Sequence, residues 1–138
     1  MPQGPDLPVL VVDGSRFDDL EGFSREVSRL LDGYTWRGNL DALNDVLRGG
    51  YGTPRGGFVL RWLHSERSRA ALGHAETARR LERLLPSVDP SGRAAFVARL
   101  DAARRGEGPT LFDEVVALVR EHGPGGREAA DGVVLELV

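Results

Sequence analysis

Two aspartates stand four residues apart, at Asp41 and Asp45, in the run Asn39-Leu40-Asp41-Ala42-Leu43-Asn44-Asp45-Val46-Leu47-Arg48. On a helix that spacing stacks their carboxylates one turn apart on a single side, with Asn44 and Arg48 beside them. Leu40, Leu43, Val46 and Leu47 form the opposite, apolar stripe. Two readings are open to such a pair. A catalytic dyad would share a proton, which needs burial that nothing in the local pattern supplies. The other reading is a plain solvated acidic face, with no chemistry of its own. Like charges at this spacing cost about a few tenths of a kcal/mol in an isolated helix, offset for Asp41 by the positive helix N-terminus.

Other reactive residue types offer less. His64, His74 and His122 show no metal-ligand spacing. The absence of Cys removes thiolate nucleophiles and Cys-ligated zinc together. No metal, cofactor or enzymatic activity is therefore expected. The loop Gly49–Gly57 lacks the GxxxxGK[ST] pattern and precedes a strand, whereas a phosphate cradle leads into a helix. It reads as a flexible or partner-shaped loop. Arg79, Arg80, Arg83, Arg93, Arg99, Arg104 and Arg105 are interleaved with Glu76, Glu82 and Asp101. They read as solvated helix faces, and a net charge of -3 argues against direct nucleic-acid binding.

The elements that must position these residues follow from periodicity. Leu7–Val12 is a continuous β-branched run, expected as a strand buried on both faces of a parallel sheet. Phe17, Leu20, Phe23, Val27, Leu30 and Leu31 recur at helical spacing, with Gly33 placed to stop the helix. Asn39 caps the short acidic helix and Gly49-Gly50 ends it. Phe58–Leu63 reads as a second strand. Helices are expected over Ser65–Leu72, Ala75–Leu85, about Ser91–Arg105 and, capped by Thr110, Leu111–His122; Val133–Val138 is a terminal strand. The fold class is α/β: a three-stranded, mainly parallel sheet with helices packed on it, in one domain spanning 1–138. The run Leu7–Val12 is too short for a membrane span and lacks a basic lead for a signal peptide, so a cytoplasmic protein without membrane association is expected.

Read as a string, Asn39 to Gly49 resembles the central motif of the barstar family, whose members inhibit barnase-like ribonucleases. The order of elements agrees over about 8–72 and 110–138, leaving about 73–108 as an extra helical insertion in the second half. The resemblance implies an inhibitor of a microbial, barnase-like, guanyl-specific ribonuclease, blocking its active site with the acidic helix and adjoining loop. It places Asp45 where a substrate phosphate would bind, with Asp41 as second acidic contact. Glu121 resembles a third, or is a plain exposed helix acid. Asn44, Asn39, Trp36, Thr35, Gly49 and Tyr51 complete the expected partner-binding set. The chain departs from the family pattern at Asn44 and Gly50, where aromatics are usual, with Tyr51 one place later. It also has Thr35, flanked by Tyr34 and Trp36, where a tyrosine is common. The implied partner is a small secreted or toxin-type ribonuclease bound 1:1, by a chain monomeric when free. An alternative is a barstar-like protein-interaction module with a non-nuclease partner, held by the inserted helices. A third reading, an arginine-mediated nucleic-acid binder, runs against the net charge.

Overall fold

Three β-rich runs pair in a computed structural model that describes residues 7–138; residues 1–6 of the expected domain lie outside it. Val9–Asp13 (β1), Phe58–Leu63 (β2) and Val133–Leu137 (β3) form one sheet in the order β1-β2-β3, with both pairings parallel. Leu10 lies opposite Leu60, and Leu60 opposite Leu135. That register puts Leu10, Val12, Phe58, Leu60, Trp62, Val133, Leu135 and Leu137 on one face, and all eight belong to the main core.

The other face corrects the expectation that the first strand is buried on both sides. Val9 is 43 % exposed, and Val11, Val59 and Val134 are only half-buried. Arg61 and Glu136 make a 2.7 Å ion pair across this face. The physical reason is that the core helices cover only one side of the sheet, so even Val59 on the central strand is half-buried. A β-branched run meets the requirements of an edge as well as those of a sheet centre.

Helices Leu20–Ser28 (α1), Leu40–Arg48 (α2), Ser65–Ala71 (α3) and Leu111–Glu121 (α6) surround the core. Phe23 and Val27 of α1, Leu43, Val46 and Leu47 of α2, and Leu111, Val115 and Val119 of α6 are buried. Phe23 stacks on Trp62 with ring centroids 5.2 Å apart and meets Trp36 edge-on at 5.5 Å. α1 stops at Ser28, sooner than its apolar spacing suggests. The chain tightens there into i→i+3 bonds, Leu30 N–H to Val27 and Leu31 N–H to Ser28, so Leu30 and Leu31 reach the core from a turn.

Helices His74–Leu84 (α4) and Arg93–Arg104 (α5) form a hairpin with its own small core of Ala78, Leu81, Leu100 and Ala103. Polar contacts dock it. The Glu76 carboxylate accepts the Leu20 N–H at 2.6 Å, completing the N-terminus of α1 that Asp19 caps through Gly22. The Thr77 hydroxyl accepts the Leu111 N–H of α6 at 2.7 Å. Glu21 of α1 is gripped by Arg79 at 2.6 Å and Arg83 at 2.5 Å, and the Arg79 guanidinium foremost holds its carboxyl down to about 2. Among the described residues no helix is long and apolar enough to cross a membrane.

Candidate functional site

The acidic helix is held from beneath and at both ends. Its apolar stripe sits in the core, which turns Asp41 and Asp45 outward into solvent. At the N-terminus the Asn39 side-chain oxygen accepts the N–H groups of Asp41 at 2.8 Å and Ala42 at 3.1 Å. The Asn39 carbonyl accepts the Trp36 ring N–H at 2.7 Å. Trp36 itself is 1 % exposed, which corrects its place among expected partner contacts. Its ring fills the core against Phe23, so it anchors the loop entering α2 and has no surface to offer. Asn39, although exposed, spends its side-chain oxygen on the cap.

Around the aspartates a polar network ties α2 to the end of α6 and the loop before β3. Asp45 pairs with Arg48 at 2.9 Å, and Arg48 with Glu128 at 3.1 Å. Glu128 foremost raises the Arg48 guanidinium above its ordinary value. Asn44 accepts from the His122 ring at 2.9 Å, and the other ring nitrogen meets Asp131 at 2.7 Å. His122 is fully buried, so Asn44 is fixed by a partner it cannot easily exchange. Glu121, one residue earlier, is bound to Arg127 at 2.5 Å, and that hydrogen bond holds its carboxyl below the usual range.

Two loops flank the helix. Thr35 is exposed, and beside it Tyr34 is half-buried against Tyr51, ring centroids 4.7 Å apart. Asp32 donates its N–H to the Tyr51 carbonyl at 3.0 Å. Gly49 ends α2 and Gly50 follows at φ 104°, a backbone state that L side chains rarely adopt. A bulkier residue at position 50 would be strained in this backbone. At Gly52 a Cβ would stand 2.1 Å from the Asp32 backbone nitrogen, so the two loops approach as closely as they do because glycine is there.

The structure thus brings Asp41, Asp45, Asn44, Thr35, Gly49 and Tyr51 around one helix, with Glu121 at its border through His122. Glu128, Asp131, Arg48, Arg127 and Tyr34 join them although sequence reasoning assigned them no site role. Asn44 and His122 are 78 residues apart and Arg48 and Glu128 are 80 apart, so no local spacing could announce either contact. The exposure of Asp41 and Asp45 removes the burial a proton-sharing dyad requires. Among the described residues no cluster of three or more His, Cys, Asp or Glu is placed to hold a metal ion. The chemistry left to the face is recognition: carboxylates presented on a rigid helix, beside an aromatic pair, to guanidinium, ammonium or imidazolium groups.

The sequence model of one protein family, described as Barstar (barnase inhibitor), matches residues 7–114. Comparison with curated proteins and with solved structures gives no match.

Proposed function

The chain belongs to the barstar (barnase inhibitor) family, and on that premise we propose that it inhibits a microbial, barnase-like, guanyl-specific ribonuclease by filling the enzyme's active site with α2 and its flanking loops. The observation that carries this reading is the presentation of Asp41 and Asp45, both exposed, on a helix whose other side is fixed in the core. A nuclease site gathers cationic side chains around a phosphate. A carboxylate on a rigid helix can occupy that place and accept paired hydrogen bonds at low entropic cost. Asp45 takes the phosphate position, Asp41 and Glu121 add acidic contacts, and Tyr51 with Thr35 supplies the adjoining surface. The target is a small secreted or toxin-type ribonuclease bound 1:1 in the cytoplasm by a monomer. Residues 73–108 are a helical insertion in this single domain.

The test is RNA cleavage by a panel of microbial guanyl-specific ribonucleases, each titrated with the wild type and with the Asp41→Ala, Asp45→Ala double variant. Stoichiometric inhibition by the wild type, lost in the double variant, is the expected result. Equal inhibition by both proteins would overturn the acidic-helix mechanism. Indifference of every nuclease would favour a barstar-like interaction module with a non-nuclease partner.

A further inference from the structure

Where the α4–α5 hairpin meets the N-terminus of α2, the surface opens into a cleft of about 690 Å³, a volume suited to a small organic ligand. Leu20, Leu40 and Leu84 give it an apolar wall, and Leu84 is one of the exposed large hydrophobic residues. Arginines converge from three elements: Arg37 from the loop before α2, Arg80 and Arg83 from α4, and Arg99 from α5. The facing acids are Glu21, Asp41 and Glu114. Glu21 is engaged by Arg79 and Arg83, and Glu114 by Arg99.

Two groups in the cleft are left over. Arg80 is half-buried and makes no hydrogen bond or ion pair among the described residues. Burial pulls its guanidinium below the ordinary arginine value, and the like charges of Arg99 and Arg83 add to that, while Glu114 and Asp41 oppose it from a distance. Even half-buried, a cation without a partner carries a desolvation cost. The second is the Oε2 of Glu114, buried and without a donor, although its twin oxygen is held by Arg99. The cleft thus offers an unpaired donor fork beside an apolar wall, with an unpaired acceptor buried next to it.

We infer that this cleft is a binding site for a small phosphorylated molecule of nucleoside-monophosphate size. Its phosphate lies against Arg80, with Arg37 at the rim. Its apolar ring rests on Leu20, Leu40 and Leu84. A phosphate suits several converging guanidiniums better than a carboxylate, because its three oxygens can accept from more than one fork. Asp41 is the one facing acid with no ion pair among the described residues, and it repels the ligand's charge. The site borders the proposed nuclease-recognition face, since Asp41 lies on its wall, and it can be tested without any nuclease.

The experiment titrates the purified full chain, in phosphate-free buffer of low ionic strength, with adenosine 5′-monophosphate as probe. Adenosine and inorganic phosphate are separate arms, and heat of binding and thermal unfolding are both read. Saturable binding of the nucleotide is expected. Arg80→Gln should weaken it by about tenfold or more, and Asp41→Asn should strengthen it by about a few fold. Adenosine and phosphate alone should each bind at least about tenfold more weakly than the nucleotide. Arg80→Gln should leave thermal stability of the free protein unchanged or raised, since it removes an unpaired charge. No saturable binding at about 10 mM nucleotide, or equal affinity for the Arg80→Gln protein, would overturn the inference. So would a clear loss of stability in Arg80→Gln, which would make Arg80 the internal counter-ion of Glu114.

Discussion

Replacing Asp45 by alanine is expected to leave folding nearly unchanged while weakening nuclease binding strongly, and the structure sets both magnitudes. The Asp45 side chain is 57 % exposed, and its partner Arg48, 47 % exposed, is also held by Glu128. An exposed ion pair of this kind contributes about 0–1 kcal/mol, so the melting temperature should fall by less than about 4 °C. Under a bound nuclease the same carboxylate is desolvated against cationic groups. Truncating one member of such a buried pair costs about 2–5 kcal/mol, a loss in affinity of about thirtyfold to several thousandfold. Most of that should appear as faster dissociation, while association should slow as salt rises for wild type and less steeply for the variant. Surface plasmon resonance with a catalytically inactivated nuclease, at two salt concentrations, reads both rates beside thermal unfolding of each protein. A Kd unchanged within about threefold would refute the reasoning. A fall of more than about 8 °C in melting temperature would refute it differently, by showing Asp45 to be structural.

Three further outcomes test the frame around the site. Glu76→Ala leaves the buried Leu20 N–H without its 2.6 Å acceptor and should cost about 2–3 kcal/mol in urea unfolding; a loss under about 0.5 kcal/mol would mean the hairpin is docked some other way. The Glu21 carboxyl is held at about 2, from an ordinary 4.5, foremost by Arg79. Its contribution to stability is therefore complete above about 4.5 and lost as pH falls toward about 2, and Glu21→Gln should flatten the stability profile in that window. Gly52 and Gly56 have similar φ, 96° and 92°, but a Cβ at Gly52 meets the Asp32 nitrogen at 2.1 Å whereas one at Gly56 meets nothing within 4 Å. Gly56→Ala should lose about 1 kcal/mol from backbone strain alone and Gly52→Ala clearly more, and equal melting temperatures would refute the close approach of the two loops.

The residues that could be read from sequence are those whose signal is local. α2 begins and ends where Asn39, the leucine stripe and Gly49 say it should, and the outward direction of Asp41 and Asp45 follows from that stripe. Phe58–Leu63 is equally plain. Trp36 was open to error because a loop has no periodicity to reveal which way a ring points, and only the Asn39 carbonyl and Phe23 decide it. The β-branched run of β1 satisfies both an edge and a centre, so its half-exposed face depends on which helices arrive. Arg79, Arg80 and Arg83 all read as solvated. Glu21, 58 and 62 residues away, takes Arg79 and Arg83 and leaves Arg80 alone, a distinction that exists only once α1 and α4 meet.

The acid pair alone cannot select among nucleases, because any enzyme that binds a phosphate offers cations to a carboxylate. For the proposed inhibitor, selection must come from what borders α2, and its two ends have different borders. Asp45 lies near the C-terminal end, where Arg48, Glu128 and the His122–Asp131 pair join the helix to the loop before β3. That border is polar and ties a basic group next to the acid, so it tunes how much free negative charge Asp45 presents. Asp41 lies at the N-terminal end, on the wall of the cleft that the α4–α5 hairpin closes. That border is bulk: Arg80, Arg83 and Leu84 stand beside the helix and limit how a partner can approach Asp41. The hairpin is tied through Glu76 and Glu21 to α1, which itself carries Phe23 onto Trp62. A partner must therefore match a wall at one end of α2 and a charge-balanced loop at the other, and that pair of constraints, rather than the aspartates, defines which nuclease fits.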